Sequence, residues 1–244
     1  MLSEVAAEAG APLPMARVTP PGRPLAGLTV LVVEDSRYSS EAMRLLCMRS
    51  GARVRRADCL RSAFRHLQAY RPDVAIIDLG LPDGDGADLI RDLAHATPRV
   101  AAIVGISGDP GLHNTVLAAG ADGFLAKPVE SVAIFQHAVM SILPANLRSW
   151  RPTAVSDDMI QPDNASLRED LAYVAEILSR ASDPNCIDYV VRFLCGVARS
   201  AHDEPLQEAA LALAGDLRKG YAITASLAGI SAMVEDRLAR TIAH

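Results

Sequence analysis

Five short apolar runs, each followed by a stretch of helical period, fill the chain up to Pro144: Leu28–Val33, Ala52–Ala57, Val74–Ile77, Val100–Ile106 and Asp122–Ala126. The second alternates, with Val54 among arginines, as a partly exposed strand does. Val74-Ala75-Ile76-Ile77 is unbroken, which suits a strand buried on both faces of a parallel sheet. Between the runs, helices are predicted from a Ser36 cap through Ala42, Met43, Leu46 and Cys47, and from Cys59 to Tyr70, before Arg71-Pro72. Others are predicted over about Asp85–His95, through Leu112, Val116 and Leu117 to Gly120, and over Val132, Phe135, Val139 and Ile142. Strict alternation of strand and helix predicts an α/β domain, a five-stranded doubly wound parallel sheet with helices on both faces.

Past Asn164 only the helical period remains. Ser166-Leu167-Arg168-Glu169 is a capping box before Leu171, Val174 and Leu178. Asp183-Pro184 opens a helix carrying Ile187, Val190, Val191, Leu194 and Val197. Asp203-Glu204-Pro205 opens a third with Leu206, Ala210, Leu213 and Leu217, and a Lys219-Gly220 break precedes a fourth with Ile223, Leu227, Ile230, Val234 and Leu238. Four helices of similar length joined by short loops predict an all-α domain, an antiparallel four-helix bundle. Residues 1–26, with Pro12, Pro14, Pro20, Pro21 and Pro24, have no period and read as a mobile tail. The resulting division is a tail at 1–26, an α/β domain at 27–144, a linker at 145–165 and a helical domain at 166–244.

Charge separates the two halves further. Residues 1–149 balance 15 Lys+Arg against 15 Asp+Glu, whereas residues 150–244 hold 9 against 14 and so carry the whole net charge of −5. An acidic helical half counts against DNA as a partner, because such binding rests on phosphate neutralisation. Cys47, Cys59, Cys186 and Cys195 form no CxxC pair and read as apolar core residues of a reducing compartment. No apolar run is long enough to span a bilayer, and no charged segment followed by an apolar one opens the chain, so the cytoplasm is the expected location.

The strand ends collect the chemistry. Glu34 and Asp35 follow the first strand, Asp78 the third, Ser107 the fourth and Lys127 the fifth. Open α/β sheets bind ligands outside the carboxyl ends of their strands. Three carboxylates brought together there call for a hard cation, and a hydroxyl and an ammonium beside them suit the oxygens of a phosphoryl group.

The segments VLVVEDS, VAIIDLGLPDGDG, IVGISGD and GADGFLAKPV, in that order, resemble the CheY-like receiver domain of two-component response regulators. The resemblance lies within about Leu28–Leu143, roughly half the chain. It implies that Asp78 is the phosphoacceptor, a carboxylate nucleophile toward phosphohistidine or a small phosphodonor. It further implies that Asp35, Asp78 and the Gly80 carbonyl hold Mg²⁺, with Glu34 acting through metal-bound water. Ser107 and Lys127 would contact the phosphoryl oxygens, and the Lys127–Pro128 bond is cis in most relatives. Phe124 falls where relatives carry an aromatic that swings inward with the Ser107 position during switching; it lacks the hydroxyl of the usual Tyr.

The implied function is a phosphorylation-controlled response regulator whose helical half serves dimerisation or partner docking. Its partners would be a sensor histidine kinase or phosphotransfer protein, with a homodimer possible and no membrane. No dedicated enzyme motif stands out, so self-phosphorylation and autodephosphorylation are the only reactions implied. Two alternatives remain. One is a phosphorelay in which the helical half takes part through His202, although His202 sits at a helix break beside Asp203 and Pro205. The other is a DNA-binding regulator with a divergent motif.

Overall fold

The computed structural model describes residues 18–149, 158–180 and 184–240. The first part is a five-stranded parallel sheet. Its strands are β1 (Thr29–Val33), β2 (Arg53–Ala57), β3 (Val74–Asp78), β6 (Ala102–Ser107) and β7 (Gly123–Ala126), in the order β2-β1-β3-β6-β7. The crossovers run through α1 (Arg37–Arg49), α2 (Leu60–Ala69), α3 (Gly86–His95) and α4 (His113–Ala118), and α5 (Val132–Ile142) follows the last strand. Alternate residues of each central strand face opposite layers. Val30, Val32, Val74 and Ile76 share one core with Met43, Leu46, Phe135 and Val139 from α1 and α5. Leu31, Val33, Ala75 and Ile77 share the other with Ala63, Leu89, Ile90 and Val116 from α2, α3 and α4. Because strand side chains have a period of two, strands buried on both faces are apolar throughout, as β3 is.

Two features depart from expectation. The Gly- and Pro-rich stretch after Asp78 is not a plain loop: β4 (Gly80–Leu81) and β5 (Gly84–Asp85) pair antiparallel as a small hairpin. Gly86 then passes so close to the Asp78 carbonyl that a Cβ there would lie 1.9 Å from it, a separation only glycine avoids. The tail reading is also too long at its C-terminal end. Leu25 is fully buried in the core shared by α1 and α5, and its N–H donates to the Ser50 carbonyl. One leucine among prolines has no period to reveal it, yet burying it contributes about 2 kcal/mol. Residues 1–17 of that tail, and Asp183 with its expected cap, lie outside the described residues.

Part of the stretch read as a linker is docked on the sheet domain. Ser131 bridges Met159, the Ile160 N–H donates to the Glu130 carbonyl, and Ile160 is buried in the same core as Val129 and Val132. The rest of the described chain is helical: α6 (Asn164–Arg180), α7 (Pro184–Ser200), α8 (Glu204–Lys219) and α9 (Thr224–Arg240). α6 touches α7, α7 touches α8, α8 touches α9 and α9 returns to α6, closing a four-helix bundle. Its core holds Leu171, Val174, Val190, Leu194, Val197, Leu206, Leu213, Ile230 and Val234. Asp203 caps α8 through the Leu206 N–H and pairs with Arg237 of α9, which holds its carboxyl below the usual carboxylate range. α6 and α7 both pack on α1, so the bundle rests directly on the sheet domain.

Candidate functional site

β1, β3, β6 and β7 end at one edge of the sheet, and the side chains expected there come together. Glu34, Asp35 and Asp78 each place a carboxylate oxygen within 4.8 Å of the others, the one such acidic group found among the described residues. Lys127 Nζ lies 2.6 Å from Glu34 Oε2 and 3.2 Å from Asp78 Oδ2. Glu34, Asp78 and Ser107 are buried. The Ser107 hydroxyl closes β6 and accepts the Asp109 N–H at 3.1 Å. Gly80 opens the small hairpin, and a Cβ added to it would come 3.8 Å from Asp78 Oδ2. The Lys127–Pro128 peptide bond is cis. Phe124 lies apart from this group: it sits on β7, half-buried, edge-on to His113 with ring centroids 5.5 Å apart.

The electrostatics follow from crowding under partial burial. Burial pushes the Glu34 carboxyl well above its ordinary value, against the pull of Lys127. Burial also raises Asp35 to about 6, with the Asp78 charge adding to it and a hydrogen bond from Tyr189 opposing it. Burial pulls the Lys127 ammonium down, but the Asp78 and Glu34 carboxylates outweigh it and raise that pKa. Three carboxylates against one ammonium leave an excess of negative charge and an all-oxygen donor set. That chemistry fits a hard divalent cation.

The helical half completes the surroundings. A cavity of about 950 Å³ has Glu34, Asp35, Asp78, Ser107 and Lys127 on the sheet side, and Tyr189, Arg192, Arg199 and Arg218 on the side of α7 and α8. The Tyr189 hydroxyl donates to Asp35 Oδ2 at 2.7 Å. One turn of chain away, Asp170 of α6 accepts the Ser36 hydroxyl at 2.7 Å, the Arg37 N–H at 2.8 Å and the Tyr38 N–H at 3.0 Å. Ser36 in turn caps α1 by accepting the Ser39 N–H. A carboxylate from another domain therefore serves the orphan donors at the start of α1. Sequence reading missed both residues. Asp170 does carry a signal, because it lies between Leu167 and Val174 on the apolar stripe of α6; Tyr189 carries none. His202 occupies the turn between α7 and α8 with a positive φ of 53°, and its Nε2 lies 2.8 Å from Glu130 Oε1 of the sheet domain.

Residues 30–139 match the family model of the response regulator receiver domain. The KDP operon transcriptional regulatory protein KdpE of Escherichia coli K12 is 35% identical over 99 residues, which cover 41% of this chain and 44% of KdpE. The virulence transcriptional regulatory protein PhoP of Salmonella typhimurium 14028s is 35% identical over 117 residues, covering 46% of this chain and 52% of PhoP. The chain thus spans about half the length of the curated relatives it matches. Among solved structures, the receiver domain of the sensor histidine kinase PA1611 from Pseudomonas aeruginosa PAO1, described with a magnesium ion in its active-site cleft, is 26% identical. That likeness covers 48% of this chain and 98% of that one, with a TM-score of 0.43. The expectation against DNA, drawn from net acidity, finds no support here, since both curated relatives are named transcriptional regulatory proteins. Net charge averages over a surface and misses local faces. Among the described residues no helix is long and apolar enough to cross a membrane. By sequence match and by the placement of its strand-end residues, the segment 30–139 of this chain is a response regulator receiver domain.

Proposed function

We propose that the protein is a cytoplasmic, phosphorylation-controlled response regulator that accepts a phosphoryl group on Asp78 and signals through its helical half. One observation carries this reading: Asp78 stands at the end of β3 with Glu34 and Asp35 within 4.8 Å and Lys127 Nζ at 3.2 Å. An Asp78 oxygen attacks phosphorus in the phosphohistidine of a sensor kinase or phosphotransfer protein. The new P–O bond forms as the P–N bond breaks, and the imidazole leaves with its electron pair and takes up a proton. Lys127 is already aligned on Asp78 and balances the charge gathering on the phosphoryl oxygens. Ser107 donates its hydroxyl proton to one of those oxygens, and its oxygen remains able to accept the Asp109 N–H. Asp35, Asp78 and the Gly80 carbonyl would hold Mg²⁺, with Glu34 behind them, and the ion supplies further neutralisation of the phosphoryl group.

A division into a receiver unit that takes in Leu25 and Ile160 and a helical unit from Asn164 belongs to the same proposal, as does a population shift read through Ser107 and Phe124. Packing of α6 and α7 on α1 supports the helical half as the element that answers to Asp78. Light scattering with Mg²⁺ and beryllium fluoride, on wild type and Asp78→Asn, tests the reading. A change in mass or in intrinsic fluorescence is expected in wild type and is lost completely in the variant. The same response in Asp78→Asn would mean that the phosphoacceptor is misassigned.

A further inference from the structure

Both oxygens of Asp35, two residues past the end of β1, accept hydrogen bonds. Oδ1 accepts the Ser36 N–H at 2.9 Å, and Oδ2 accepts the Tyr189 hydroxyl at 2.7 Å from a residue 154 positions along the chain. Tyr189 is itself braced. Its ring packs 6.0 Å from that of Phe193, which meets Tyr173 edge-on at 5.6 Å. A phenolic O–H is a donor at neutral pH and the carboxylate can only accept, so the direction of this bond is fixed. Each carboxylate oxygen has a second lone pair, and the two hydrogen bonds fix the plane of the Asp35 carboxylate while leaving it able to ligate. Tyr189 lines the same cavity as Glu34, Asp35 and Asp78.

We propose that Tyr189 of the helical half is a positioning residue for the divalent-cation site of the receiver half, orienting Asp35 as a ligand. The inference rests on the reading that Glu34, Asp35 and Asp78 hold Mg²⁺. Hydrogen bonds to ligating carboxylates set their orientation, and losing one costs about 10- to 100-fold in metal affinity. Because the donor comes from the other domain, cation binding and docking of the bundle are coupled, each strengthening the other by the same factor.

The test is Mg²⁺ titration of the full chain by calorimetry, with thermal unfolding in Mg²⁺ and in chelator, on wild type, Tyr189→Phe and Asp35→Asn. Phenylalanine keeps the ring in its cluster, and unfolding in chelator reports whether the variant is folded. Tyr189→Phe is expected to bind Mg²⁺ about 10-fold or more weakly and to lose most of the Mg²⁺-induced rise in unfolding temperature. Unchanged or tighter binding in Tyr189→Phe, with binding lost in Asp35→Asn, would overturn the inference and leave the cation site standing. If wild type binds no Mg²⁺, the cation reading fails and the inference falls with it.

Discussion

The two halves of this molecule handle polar residues in opposite ways. In the receiver half, charged groups are kept out of the layers and delivered to one sheet edge, where Glu34, Asp35, Asp78 and Lys127 meet. In the helical half, polar groups break into the apolar faces: Asp170 is buried on α6, and Tyr189 sits among the packed rings of α7. Taken alone, each of those looks like a defect in the bundle. Taken with the receiver, each has a partner there, Asp170 at the start of α1 and Tyr189 at Asp35. A polar residue on the wrong stripe of one domain is thus a message about its neighbour.

The largest expected effect breaks this comparison at Asp170. Removing its carboxylate leaves the Arg37 and Tyr38 N–H groups and the Ser36 hydroxyl without their acceptor. Asp170→Ala should cost about 3–5 kcal/mol, since buried charge-assisted hydrogen bonds are lost together and donors are stranded. Urea unfolding followed by circular dichroism should then show two transitions where wild type shows one. A single transition at the wild-type midpoint would mean that the halves are held together elsewhere.

A smaller effect sharpens the electrostatic side. The folded Asp35 carboxyl titrates at about 6, above its ordinary value of 3.8. Between those values the folded state holds more protons than the unfolded one, so stability without cation falls as pH rises from 4 to above 6. The loss is at most about 3 kcal/mol on the scale of one pKa unit per 1.4 kcal/mol. Asp35→Asn in chelator should flatten that slope and unfold at higher temperature than wild type at pH 7. Burial also raises Glu34, which adds a slope of the same sign, so the prediction fails if Asp35→Asn leaves the slope as steep as in wild type.

The smallest effect concerns His202. Its contact with Glu130 is exposed, with 64% of the His202 side chain accessible, so His202→Ala should change stability by less than about 1 kcal/mol. It should also leave phosphoryl occupancy of Asp78 unaltered, measured by intact-protein mass after incubation with a small phosphodonor. Loss of occupancy, or phosphate carried on His202, would revive the relay reading.

How far each part could be read from the chain follows from how its information is stored. Strand ends were legible because a β-branched run stops at a charged residue, as Val33 does before Glu34 and Ile77 before Asp78. Helix starts were legible through caps such as Ser36 and Asp203, both confirmed by their hydrogen bonds to N–H groups. The β4–β5 hairpin was not, since strands of two residues contain no period. Leu25 and Ile160 were not, because a single apolar residue in a Pro-rich stretch looks the same whether it is docked or free. Tyr189 was the hardest, as its meaning depends on a carboxylate 154 positions away.

One consequence of the Asp170 contact concerns how this protein is made and cut. Synthesis delivers α1 long before α6, and the first turn of α1 gains its Asp170 acceptor only from 132 to 134 residues downstream. A fragment ending at residue 144 would contain every strand of the receiver and still lack the carboxylate that accepts the Ser36 hydroxyl and the Arg37 and Tyr38 N–H groups, leaving these donors to water. The boundary that looks cleanest as a place to divide the gene is therefore not a boundary in the hydrogen bonding. Recombining this receiver with another output module would leave those contacts to water unless the newcomer brought its own acceptor to Ser36.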